Sequence, residues 1–293
     1  MAKVLLRWAL PMAALFVLGP AASRLVVLLH AADGSRDVTL LVNTTPILGA
    51  AVIAGIIALA IVGALPAARL FGPRAALLTA GFTLTWASWY TAPLSMLVRR
   101  AEPTSVLTTL AIEGAIVAAF GMLMLMLIFH VGARAHDPKD HLVGEGGMEL
   151  RRTFTTPVGL VSMLGAAAAA LLITWALARE PQRGQSIFAA FVAGIGAGAV
   201  GVWAGTFIDR DVPRGAPIVA MLLLAIVAPL IGLVSPGAGA MRDAVVTDAF
   251  LGPVRLQGLD WLIGASIGVP MGLSWVRAAI ESSESHEHKP ARA

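Results

Sequence analysis

Cysteine is absent from the chain. Disulfides, thiolate metal sites and cysteine nucleophiles are therefore excluded at the outset. Charge is scarce too: Asp, Glu, Lys and Arg make up 13% of residues, where a soluble domain carries about 25%. No polar, amphipathic segment is long enough to fold as a soluble domain. A P-loop, a kinase signature, an H-E-x-x-H helix and paired haem histidines are also missing. These gaps exclude the common nucleotide-binding, metalloprotease and haem classes.

What is present is overwhelmingly apolar. Hydrophobic residues account for 58% of the chain and the mean hydropathy is +0.83. In water such a chain would expose more apolar surface than a monomer tolerates, so the composition predicts an all-α integral membrane protein. A spanning helix needs about 20 apolar residues. Eight stretches qualify, at 8–30, 46–65, 75–98, 106–130, 156–178, 187–208, 216–234 and 259–276. Thr45-Pro46 and Thr156-Pro157 place a capping hydroxyl before a proline whose missing N–H costs nothing in the first turn. Pro11, Pro93 and Pro229 fall inside the first, third and seventh stretches and predict interrupted helices there.

Lys and Arg set the orientation. With eight spans and an inside N-terminus, thirteen fall inside. Eight fall outside: Arg24, Arg36, Arg99, Arg100, Arg179, Arg183, Arg242 and Arg255. Both termini are thus expected in the cytoplasm, with the protein in a bacterial inner membrane. Trp8, Trp89, Trp175, Trp203, Trp261 and Trp275 lie near span ends, where amphipathic rings settle at the interface, and Trp86 lies deep. The net charge of +4 is spread singly and in pairs, with no basic stripe. A nucleic-acid partner is not expected. The expected partners are the lipid bilayer, other membrane subunits or a second copy of the chain. No cofactor and no metal is assigned.

The two halves echo each other. Pro11 with Leu18-Gly19 has the spacing of Pro157 with Leu164-Gly165; Pro73-Arg74 matches Pro213-Arg214; Ala92-Pro93-Leu94 matches Ala228-Pro229-Leu230. Glu113 and Asp260 follow in corresponding places, each with an isoleucine three positions on (Ile116, Ile263). These matches predict two parallel four-helix repeats, 1–130 and 156–280, with a pseudo-axis along the membrane normal. A cytoplasmic linker, 131–155, joins them, and a disordered tail, 281–293, follows. The basic, apolar N-terminus also fits a signal peptide, but the repeat makes it a retained first helix.

Within so apolar a chain, the polar breaks carry the functional expectation. Glu113 sits inside the fourth stretch, where a carboxylate is costly and faces a bundle interior or a water-filled path. It reads either as a proton or cation site or as a structural partner of an arginine such as Arg24. Arg24 can also snorkel to the surface, and Asp260 suits a helix start. Gly194, Gly198, Gly201 and Gly205 give the small-xxx-small spacing of a close-packed membrane helix. The same run matches G-x-G-x-x-G but lacks the strand that a dinucleotide site requires. Gly264-Ala265-Ser266-Ile267-Gly268 matches G-x-S-x-G without a strand or a histidine base. Met122, Met126 and His130 share a helix face as a weak Cu(I) pattern; His136, His141, His286 and His288 fit no standard ligand spacing. Three function classes remain: a permease for an ion or small solute, a non-catalytic structural or assembly subunit, and a lipid-modifying enzyme.

Overall fold

A computed structural model describes residues 2–132, 150–209, 211–234 and 238–287. Among these residues there is no strand. Helix α1 runs over Ala2–Ala13 and continues through a π-helical turn, Ala14–Leu18, into Gly19–Val26. Then follow α2 (Pro46–Phe71), α3 (Pro73–Trp89), the short α4 (Leu94–Arg100), α5 (Pro103–Gly132), the short α6 (Leu150–Thr155), α7 (Pro157–Leu177), α8 (Arg183–Thr206), α9 (Gly215–Val234) and α10 (Ala238–Thr247). Helix α11 begins at Gly258–Ile263 and passes through a second π turn, Gly264–Gly268, into Val269–Glu287.

Seven of these helices are long and apolar enough to cross a bilayer: α1, α2, α5, α7, α8, α9 and α11. The protein is an all-helical, polytopic membrane protein. Helix α3 has 17 residues, about 26 Å at 1.5 Å per residue, and lies among the others. The expected third span, 75–98, therefore ends early. Pro93 forces the residue before it out of the helical region, and the chain turns through Tyr90–Pro93 before α4 begins.

The prolines act at other positions than the sequence suggests. Pro11 and Pro229 lie within continuous helix. The distortions are at Pro20 and Pro270. A proline lacks the N–H for the residue four before it and its ring crowds that carbonyl. Those carbonyls belong to Phe16 and Ser266, the centres of the two π turns. The N–H groups of Gly19 and Val269 reach back five residues, to Ala14 and Gly264, and close the wide turns. Both turns flank α3: a Cβ on Gly19 would lie 2.4 Å from Trp86, and one on Gly81 would lie 2.2 Å from Ile267.

Helix α8 crosses its neighbours at backbone distance. A Cβ on Gly194 or Gly198 would meet the carbonyl oxygens of Gly264 and Val269 in α11, at 2.2 and 2.5 Å. Gly201 faces Ser162 and Ala166 of α7 instead, and Gly205 faces Val212 and Ser162. Small residues here replace side-chain bulk with close contact, the main source of helix association in lipid.

Trp8, Trp89, Trp175, Trp203 and Trp275 are exposed, as an interfacial belt requires, but Trp261 is fully buried. It sits in the first turn and a half of α11, which packs against α5, α9, α3 and α8 rather than turning to lipid. Helix α11 continues to Glu287, so the first seven residues of the expected tail are helical. Most of the linker, 133–149, and the end of the tail, 288–293, lie outside the described residues, together with His136, His141 and His288.

Candidate functional site

The connections after α1, α3, α7 and α10 meet at one end of the bundle, the end away from the start of α1. Two buried carboxylates stand there on two different helices. Asp260 is 0% exposed and Glu113 is 1% exposed.

Asp260 is surrounded by donors. The Arg183 guanidinium grips it with two bonds, Nη1 to Oδ2 at 3.0 Å and Nη2 to Oδ1 at 2.8 Å. This fork-to-fork geometry is the strongest that a carboxylate finds in a protein. The Ser88 hydroxyl also donates to Oδ1, and the Gln257 backbone N–H donates to Oδ2 at 2.8 Å. Asp260 and Gln257 form a capping box that opens α11. Arg183 spends its other N–H groups on Ser88, with Nη2 donating to Oγ at 2.6 Å and Nε to the carbonyl at 3.3 Å. The Gln257 amide donates to the Ala92 carbonyl at 2.6 Å and accepts from Thr91 at 2.6 Å. One knot thus ties the end of α3, the start of α8 and the start of α11.

Glu113 is held differently. Only Oε2 is engaged, accepting from the Thr39 hydroxyl at 2.6 Å and from the Leu41 backbone N–H at 2.9 Å. Oε1 is buried without a hydrogen-bond partner among the described residues. Both donors come from the connection between α1 and α2. Val38, Thr39, Leu40 and Leu41 are buried although they belong to no helix. Irregular backbone is tolerated at membrane depth only inside protein or along a cavity. The Arg183–Asp260 pair lies within electrostatic range of Glu113.

Above this segment lies a surface cleft of about 270 Å³, lined by Asp33, Asp37, Val42, Asn43, Leu97 and Arg100 among others. Arg100 pairs with Asp33 at 2.9 Å and Asp37 at 2.6 Å. The Ser35 backbone N–H and hydroxyl, helped by Arg100, hold the Asp33 carboxyl below the usual carboxylate range.

No known family model, curated protein or solved structure matches the chain. The geometry therefore carries the functional reading alone.

Of the residues expected at a site, Glu113 and Asp260 come together at one end of the bundle. Arg24 does not join them: it is exposed, while Arg183 supplies the buried positive charge. Met126 and His130 are exposed and Met122 half-buried, so the Met/His face points away from the bundle interior. Ser266 is buried in the second π turn against Gly81, and its hydroxyl has no partner among the described residues. No group of three or more His, Cys, Asp or Glu suited to a metal occurs among the described residues. Sequence reasoning passes over Thr39, Ser88, Thr91, Arg183 and Gln257. Arg183 reads as a headgroup anchor because it stands at a span edge. The remaining signal was a cluster of small hydroxyls beside Trp86 and Trp89, and nothing in it names a partner 77 to 172 residues away.

Proposed function

We propose that this protein is a permease that moves protons, or a small solute together with protons, and that Glu113 is its proton-binding residue. The observation that carries this reading is the half-engaged carboxylate. Its Oε2 is anchored and its Oε1 is free, deep in a bundle where a carboxylate is costly. A buried polar atom without a partner calls for a specific explanation. One free oxygen suits a proton; a metal cation would ask for several oxygens around it. The cleft above the Thr39–Leu41 segment gives an approach from the same end.

The repeat belongs to this proposal. Glu113 on α5 is held by the connection before α2, and Asp260 on α11 by Arg183, immediately after the connection before α8. These are corresponding places in two four-helix repeats, with α3 as the eighth span. The bilayer is the immediate partner, and the orientation has both termini in the cytoplasm of a bacterial cell, its inner membrane holding the bundle. Arg183 and Arg255 are buried and engaged, so they do not compete for outer headgroups. Removing them from the outer set strengthens the positive-inside bias.

Reconstitution in liposomes loaded with a pH-sensitive dye tests the reading. Wild type dissipates an imposed proton gradient at least about tenfold faster than Glu113→Gln, the size expected when one essential proton carrier is lost. Equal rates would rule out uncoupled proton movement through Glu113. A second reading, a structural or assembly subunit of a membrane complex, is favoured by the saturated Arg183–Asp260 knot. It predicts a stoichiometric partner on purification and full complex assembly with Glu113→Gln.

A further inference from the structure

We infer that residues 38–42 form a plug over Glu113 that protonation of this carboxylate releases, so that the connection between α1 and α2 is the gate between the surface cleft and the bundle interior. The inference rests on the permease reading and adds its regulation. The segment has the build of a movable part. It is a compact turn on its own bonds: the Val42 N–H donates to Thr39 Oγ1 at 3.2 Å, the Thr39 N–H to the Val42 carbonyl at 3.2 Å, and the Asn43 amide to the Leu40 carbonyl at 2.8 Å. Val38, Leu40 and Leu41 pack into the apolar core, and outside itself the segment has few hydrogen bonds. The Ala92 N–H donates to the Val38 carbonyl at 2.8 Å, and Thr39 and Leu41 donate to Glu113. Leu40 leans on α2 where Gly49 leaves room; a Cβ there would lie 1.6 Å from the Leu40 carbonyl oxygen. On its other side Val42 and Asn43 already line the cleft.

The latch is chemically specific. Both bonds to Oε2 are donated to the carboxylate, and a bond to an ionised acceptor is roughly twice as strong as one to a neutral acceptor. A proton arriving at the free Oε1 neutralises the group and weakens both bonds at once. The charged groups facing Glu113 are Arg183 at the start of α8 and Asp260 on α11, and these neutralise each other. Helix α9 carries no charge, and the charges of α2 and α3, Arg69 and Arg74, stand at the opposite end. On α4, Arg99 is exposed and Arg100 is engaged by Asp33 and Asp37. The plug itself, Val38 to Val42, holds no titratable side chain. Outside the plug, His30 and Asp37 flank it in the same connection, and Glu113 is the titratable group whose side chain bonds to it directly.

The chain's lack of cysteine makes the test direct. Leu40→Cys introduces the one thiol of the protein, at a fully buried position in the plug. In lipid nanodiscs, its labelling rate with a soluble maleimide is divided by that of Ala32→Cys, an exposed neighbour, to remove the reagent's own pH dependence. From pH 8 to pH 5 the ratio rises about fivefold or more with Glu113 present, as weakening two charge-assisted bonds implies. In the Glu113→Gln background it changes less than about twofold, because no proton can then act on the latch. A flat ratio with Glu113 intact overturns the inference, and so does a rise that survives Glu113→Gln. Where Leu40→Cys does not yield folded protein, Leu41→Cys, buried in the same segment, reports the same movement. The proton-flux assay keeps the two ideas separate. A pH-dependent ratio without flux sinks uncoupled proton movement through Glu113 and leaves the gate, whereas Glu113-dependent flux with a flat ratio sinks the gate alone.

Discussion

Asp260 and Glu113 are equally buried, at the same end of one bundle, yet one is saturated with donors and the other half-free. Asp260 has a guanidinium fork, a hydroxyl and a backbone N–H. Glu113 has two donors on one oxygen and, among the described residues, none on the other. A buried charge is tolerated when it is paired and fully hydrogen-bonded, and Asp260 meets that condition with nothing left over. Its environment fixes one geometry. Glu113 keeps one oxygen without a partner among the described residues, the place where the proposed proton would bind. Saturation marks a structural carboxylate, and incomplete engagement marks one with something further to bind.

The largest test removes the saturating partner. Arg183→Ala leaves Asp260 buried and uncompensated, a change that costs about 3–5 kcal/mol in buried ion pairs. Thermal unfolding of the purified protein should fall sharply, and adding Asp260→Ala should recover part of the loss, since both members of the pair are then gone. If Arg183→Ala melts like wild type, the knot is not holding the bundle end.

On the Glu113 side the stability comes from packing rather than from the carboxylate. Gly114 touches α9 so closely that a Cβ would lie 1.9 Å from the Ala225 carbonyl oxygen. Gly114→Ala should cost about 1–3 kcal/mol through overpacking, read by the same melting experiment. Glu113→Gln, one residue away, should cost less, about 1 kcal/mol, because its amide oxygen can still accept from Thr39 and Leu41. If Glu113→Gln proves the more damaging, Glu113 is a structural carboxylate like Asp260.

Much of this contrast was not legible in the sequence, for physical reasons. Membrane spans announce themselves through composition, since about 20 apolar residues in a row have few alternatives. Thr156-Pro157 correctly marks a helix start, with the Thr156 hydroxyl accepting from the Gly159 N–H. The glycines of α8 are legible as well, because bulk removed at regular spacing leaves a pattern. Glu113 and Asp260 stand out as breaks in apolar runs. Their partners do not, because Arg183 looks like any interfacial arginine and Thr39 like any loop threonine. Their meaning comes from tertiary placement, and no local preference encodes a bond across 74 or 77 residues. The π turns were hidden in a similar way, since a proline shows where a bond is missing but not whether the helix breaks, bends or widens.

Thr39→Val narrows the comparison to one bond. It deletes a donor to Oε2 while preserving shape, and should cost about 1.5 kcal/mol in stability, the low end for one hydrogen bond to a charged group. Its clearer effect should be on the plug. Labelling at Leu40→Cys should already be raised at pH 8 and should respond less to acid. Thr39→Ser, which restores the hydroxyl, should restore the wild-type profile. A profile unchanged by Thr39→Val would show that the latch lies elsewhere.

The smallest effect is expected at an exposed carboxylate of the same connection that lies outside the plug. Asp33 is exposed, and bonds from Ser35 hold its carboxyl below the usual carboxylate range. A lowered folded-state pKa contributes stability above the unfolded value and loses it only as pH falls through the folded one. For Asp33 that window lies below its ordinary value of 3.8, outside the pH 5 to 8 range in which the plug is tested. Asp33→Asn should therefore leave the pH profile of Leu40→Cys labelling unchanged, because the small stability that Asp33 contributes is the same throughout pH 5 to 8 and is lost equally across that range. If that profile flattens with Asp33→Asn instead, the outer ion pairs with Arg100 are the pH-sensing element and Glu113 only follows them.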